Sequence, residues 1–217
     1  MSITLERPWL SFDLDGQHRI LSWSLTRPGF VTARKILWRE VRNADLPQDF
    51  DVEGWLRREL AQRGDSDAVT LLTSRDLDAY EVARAFVEGV TAECIATVGL
   101  SNAERIGTRL DRSGKDWGTI NIAVRVSQPL ADAALIELIS IIAQARTTAV
   151  IDMAHTLPTG ITTGTGTDCI AIAAPAGDAP FAGMHTAVGE AVGRAAHDAV
   201  WAGARIWMDR VRREGVV

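Results

Sequence analysis

Apolar and polar positions alternate through the first third of the chain and recur at helical spacing through the last third. Trp9–Leu14 alternates, Gly16 interrupts, and Arg19–Leu25 alternates again, which predicts a hairpin about Gly16. Pro28-Gly29 punctuates the chain before Phe30–Val41, an extended segment rich in β-branched and aromatic residues. Asp51–Gln62 predicts a short amphipathic helix ended near Gly64, and Val69–Thr73 a compact strand. Tyr80–Val87 and Val90–Gly99 alternate on either side of Glu88-Gly89 and predict a second hairpin, although Ala, Glu and Arg would also suit a helix in its first half. In Thr119–Ser127, Ile120, Ile122, Val124 and Val126 share one face, while Asn121, Ala123 and Arg125 share the other.

Two long helices follow. Pro129 suits a first helical position, and Leu135, Leu138, Ile139, Ile142, Ala145, Ala149 and Val150 recur at helical spacing to about Met153. The second helix should start near His185 or Thr186 and run to about Arg212, with Val188, Val192, Ala195, Ala199, Ala202 and Ile206 as its stripe. Between them lie a Thr/Gly loop and the apolar strand Cys169–Ala174. Strands early and helices late predict an α+β class: a largely antiparallel sheet packed with two long helices from the C-terminal half. The alternative is a three-layer α/β arrangement with a mixed sheet, because the strand–helix–strand unit over Thr119–Ala174 can add a parallel pair. No repeat or linker divides the chain, so residues 1–217 read as a single domain.

Composition narrows the function. A formal charge of −5 without a basic stripe argues against a nucleic-acid partner. The arginines at Arg205, Arg210, Arg212 and Arg213 read as a solvated helix end that complements the helix dipole. Neither a signal-type segment nor an apolar run approaching about 18 residues stands out, which predicts a cytoplasmic protein without a membrane partner. Cys94 and Cys169 lie in apolar runs without metal or redox spacing and read as small core residues.

The segment Thr162-Thr-Gly-Thr-Gly-Thr-Asp168 proposes a site: short hydroxyl side chains, a carboxylate, and glycines that let a ligand approach the backbone. It lacks the lysine and the following helix of a phosphate loop, so a neutral, amide-rich ligand suits it better. In the last helix Glu190 is flanked by Gly189 and Gly193, and either packs there with a bridge to Arg194 or faces a ligand. His185 and Thr186 stand at that helix's start, where a neutral imidazole can act as a base, or where Thr186 simply caps. Ser101 and Glu104 have capping-box spacing, and Asn102 beside them can bind amides. His155 follows the first long helix, His197 follows Glu190 by two turns, and His18 sits at the expected turn. No zinc spacing occurs and no metal is required, although Asp168, His185 and Glu190 would supply ligands if they converged.

Four blocks in this order resemble the adenosylcobinamide amidohydrolase family: Thr97–Gly107, Thr147–Asp152, Thr163–Asp168 and Gly183–Gly193, with an earlier match over Arg19–Ser22 and the strand after Gly29. The resemblance implies corrinoid salvage by hydrolysis of the amide joining the aminopropanol arm to the corrin propionate. The products would be adenosylcobyric acid and aminopropanol, with the corrinoid as substrate and no further cofactor required. It leaves two other readings, a non-catalytic corrinoid-binding protein and an amidase for a different amide. Arg27-Pro28-Gly29 stands where the family leads one to expect paired glycines, which bears on the choice among corrinoids.

Amide hydrolysis needs a nucleophile, an oxyanion stabiliser and a proton donor to the amine. The expected catalytic residues are Asp168, His185, Glu190 and Thr167. Asp168 or Glu190 would activate water or a threonine hydroxyl (Thr165 or Thr167), and His185 would protonate the leaving amine. Asn102, Asn121, Thr163, Gly164, Thr165, Gly166 and Thr186 are the expected substrate-binding residues. Loss of activity is expected on replacing Asp168, Glu190 or His185 by alanine.

Overall fold

The computed structural model describes residues 2–42, 45, 46, 49–112 and 118–214, with 211–214 described by backbone only. The side chains of Arg212 and Arg213 therefore lie outside the described residues.

Strands β1 (Ser2–Glu6), β2 (Trp9–Ser22), β3 (Gly29–Glu40), β4 (Val69–Thr73), β5 (Tyr80–Val87), β6 (Val90–Val98), β8 (Ile120–Val126) and β12 (Cys169–Ala174) build the main sheet. Its order is β4-β3-β2-β12-β8-β6-β5, with β1 also on β2. Pairing is antiparallel except for β3–β4 and β12–β8, so the sheet is mixed but mostly antiparallel, as α+β predicts. Gly16 does not turn a hairpin. Its φ of 128° and that of 59° at Asp15 form an irregularity within one long strand, and the register on β3 shifts between Asp13 and His18. The bend lets one strand serve two neighbours: Trp9–Asp13 pairs with β1, and Arg19–Ser22 pairs with β12. The Tyr80–Val98 hairpin forms about Glu88-Gly89, both at positive φ.

Helix α1 (Val52–Arg63) is capped by the Asp51 carboxylate, which accepts from Gly54 N–H, and ends at Gly64 in the left-handed conformation. Helix α2 (Asp132–Asp152) begins after Ala131, so Pro129 lies outside it. Instead Leu130 N–H donates to the Pro175 carbonyl, which ties this turn to the end of β12. Helix α3 (Ala187–Glu214) starts at Thr186, whose hydroxyl accepts from Gly189 N–H and donates to the Gly183 carbonyl. Its stripe follows 188, 191/192, 195/196, 199/200 and 204; Ile206 is exposed. A period of 3.6 residues rotates the buried line away from Ala202 and Ile206 as the helix lengthens.

Both long helices pack on one face of β12, β8, β6 and β5, covering Ile120, Ile122, Val124, Ile170 and Ile172. Although α2 is long and apolar enough to cross a membrane, Leu135, Leu138, Ile142, Ala149 and Val150 are buried in this core. The opposite face is concave. Phe12, Ile20, Ile36, Trp38 and Leu71 from one limb meet Ile95, Ala123 and Ala171 from the other. The sheet curls far enough for Asn121 Nδ2 in β8 to donate to the Leu72 carbonyl in β4, four strands away, at 2.5 Å.

Candidate functional site

Two of the blocks singled out in the sequence meet. The Thr/Gly loop runs antiparallel to residues 103–104: β11 (Gly164–Thr165) pairs with β7 (Ala103–Glu104). No helix follows Ser101, contrary to the capping-box spacing. Ala103 N–H closes a turn on the Leu100 carbonyl, and the Glu104 carboxylate accepts from Leu110 N–H. A second, smaller hairpin, β9 (Thr156–Leu157) with β10 (Gly160–Ile161), leads into the loop.

Most loop hydroxyls hold the loop itself. The hydroxyl of Thr162, fully buried, lies 3.0 and 3.1 Å from the Glu104 and Gly164 carbonyls, which share its one proton. Thr163 Oγ1 accepts from Ile106 N–H at 2.8 Å. Thr165 donates to Asp168 Oδ1, and its N–H donates to Asp168 Oδ2 at 3.1 Å. The Asp168 carboxylate also accepts from Ile120 N–H at 3.2 Å and pairs with Arg146 of α2. These side chains are only 8% and 18% exposed, so this is a largely desolvated ion pair. Burial pulls the Arg146 guanidinium below its ordinary pKa, yet arginine stays charged under any working condition. Gly164 is glycine for room: an added Cβ would lie 2.7 Å from Asp168 Oδ2 and 2.9 Å from Arg146 Nη1. With four donors on its two oxygens, Asp168 is placed to brace the loop.

Thr167 differs from its three neighbours. It is exposed and lines a cavity of about 710 Å3 at the mouth of the curled sheet. Its hydroxyl donates to the Gly118 carbonyl at 3.0 Å and accepts from Asn102 Nδ2 at 3.2 Å. Asn102 is itself buried, so it acts behind Thr167. Thr119 Oγ1 lies 2.9 Å from the Thr167 carbonyl and 3.3 Å from Asn121 Oδ1, and Asn121 reaches on to Leu72. Thr119, Asn121 and Thr167 thus form one continuous polar wall. Trp23, Leu25, Leu46, Phe50 and Val52 supply apolar surface elsewhere in the cavity. Cys169 also lines it, but burial pushes its thiol up to about 11, which makes it a poor nucleophile.

The remaining expected residues lie elsewhere. Glu190 is exposed and bridges Arg194 at 2.5 Å. It lines a groove of about 400 Å3 between α2 and α3, together with His197, which lies 3.5 Å from Asp152. His185 is exposed, and Thr186 caps α3. That end of α3 is fixed on α2 by Glu137, which accepts from Ala182 N–H at 2.6 Å. Glu137 and Arg146 are nine residues apart on α2, about 14 Å along its axis. Strand β12 carries the chain away from Asp168 by a similar length. The structure therefore separates His185 and Thr186 from Asp168 and Thr167 along the helix layer. His155 packs edge-on against Trp207, and His18 is buried in β2. Among the described residues no cluster of three or more His, Cys, Asp or Glu side chains is arranged to hold a metal.

A family model described as adenosylcobinamide amidohydrolase (CbiZ) matches residues 1–212. The chain belongs to the adenosylcobinamide amidohydrolase family. Its activity is hydrolysis of the aminopropanol amide of adenosylcobinamide in cobamide salvage. No curated protein matches the chain. A similar solved structure is the PH0078 protein from Pyrococcus horikoshii OT3, at 10% identity and a TM-score of 0.48, over 90% of this chain and 76% of that one. The sequence does not single out Arg146, Thr119 or Trp23 at this site. Arg146 is a lone charge inside the apolar run of α2, and that isolation is a signal for a buried partner. Trp23 gives no such signal, because only the curl of the sheet turns it toward the loop.

Proposed function

We propose that the amidohydrolase binds its corrinoid at the mouth of the curled sheet, with the scissile amide against the Thr167–Asn121 wall. Thr167 carries this reading, as the loop hydroxyl that reaches the cavity. A hydroxyl has one proton and two lone pairs. In Thr167 the proton goes to Gly118 and one lone pair to Asn102, which leaves one acceptor site for a substrate N–H. Thr167 therefore orients the amide, and a water molecule is the nucleophile. Its hydroxyl adds to the carbonyl carbon, the C–N bond breaks, and its proton goes to the departing aminopropanol nitrogen. Asp168 holds the loop through Arg146, so that Thr167 keeps its place as the substrate arrives. The volume lies within the roughly 300–1,000 Å3 usual for small-molecule sites, and takes the amide arm and one edge of the macrocycle.

Chromatography of the corrinoid products of Thr167→Val and Thr167→Ser tests this. Thr167→Val is expected to lower kcat/KM by about tenfold or more, the size of one lost hydrogen bond, while serine retains activity. Wild-type kinetics in both Thr167→Val and Asn121→Ala would remove the assignment. Repeating the assay with a chelator shows whether a metal takes part.

A further inference from the structure

Trp23 is large, apolar and 49% exposed, and it borders the cavity beside Thr167. Its ring does not swing freely: Nε1 donates to the Asp168 carbonyl at 3.0 Å. The turn that follows is also fixed. Ser24 N–H donates to Ser22 Oγ at 3.1 Å, and Ser24 Oγ donates to the Arg27 carbonyl at 3.3 Å. Arg27 in turn donates to the Asp67 carbonyl at 2.6 Å, which fastens the β2–β3 turn to the segment after α1. Leu25, 43% exposed, extends the same rim.

We propose that Trp23 is the platform against which that edge of the corrin macrocycle packs, and that it sets affinity for the corrinoid without taking part in bond cleavage. The inference rests on the cavity being the substrate site. An aromatic ring already held in place by its own N–H loses little freedom when the edge of the macrocycle packs on it, so its apolar surface contributes to binding. The hydrogen bond to the Asp168 carbonyl also fixes the distance between the platform and Thr167. Packing of the ring on Trp23 therefore sets how far the amide arm must reach.

Steady-state kinetics with adenosylcobinamide on Trp23→Ala, Trp23→Phe and Thr167→Val test the platform, with thermal melts to confirm folding. Trp23→Ala is expected to raise KM about tenfold with kcat within about twofold, while Trp23→Phe, which keeps a ring, stays within about threefold of wild type in KM. An unchanged KM in Trp23→Ala alongside a slowed Thr167→Val overturns the platform and leaves the cavity in place. A fall in kcat shared by Trp23→Ala and Trp23→Phe, with KM unmoved, also overturns it, because the indole N–H would then be acting on the loop. Wild-type behaviour in all three variants overturns the platform and the cavity together.

Discussion

Asp168 in the Thr/Gly loop and Arg146 in the middle of α2 form an ion pair that water barely reaches. The pair joins the loop to the helix layer, and the carboxylate simultaneously organises Thr165 and the start of β8. A charge left alone in such a place is costly, more so than the pair is beneficial.

Removing either partner is therefore expected to destabilise the fold by about 3 kcal/mol. Asp168→Asn and Arg146→Met should each lower the urea midpoint, and the double variant should lose clearly less than the sum of the two. Additive losses in this double-mutant cycle would show that the two side chains do not interact.

The two glycines beside Glu190 should behave oppositely. A Cβ at Gly189 would collide with the Gly183 carbonyl and lie 2.6 Å from that of Ala182, so Gly189→Ala is expected to cost about 1–3 kcal/mol. At Gly193 the nearest atom is Ile141 Cγ2 at 3.4 Å, and Gly193→Ala is expected to be neutral or to gain up to about 1 kcal/mol of helix propensity. Melting temperatures of the two variants provide the check.

Glu190→Ala is expected to keep kcat within about threefold of wild type, since it removes only an exposed i,i+4 pair worth a few tenths of a kcal/mol. A collapse of activity in a folded Glu190→Ala protein would move the reaction to the groove between α2 and α3.

Burial lowers the pKa of His18 and of His155 below the ordinary value of 6.5, and Arg125 and Arg112 respectively push the same way. The folded state thus disfavours the imidazolium form. As pH falls below about 6.5 the unfolded chain takes up protons first, so stability falls with acidification through that window. Urea midpoints at pH 7.5 and pH 5.5 should differ less in His18→Gln than in the wild type; an equal difference would remove His18 from the acid sensitivity.

The amino-acid sequence by itself determined the α+β class and most of the elements: α1, the hairpin of β5 and β6, the two faces of β8, strand β12 and both long helices. These follow from local periodicity, caps and turn residues, which act over a few positions. Gly16 reads as a hairpin turn in the sequence because a bulge and a hairpin turn both call for positive φ, and only the partners of β2 tell them apart. The sequence also marked the Thr/Gly loop and carried the family resemblance. Tertiary structure alone decided which loop residue serves the cavity. Thr167 reaches Asn102 and Gly118 at separations of 65 and 49 residues, and no local pattern encodes such contacts. It likewise placed His185 and Asp168 far apart, because β12 leads away from the loop before α3 begins. Side chains close in a motif list are distributed by the direction of the strand between them.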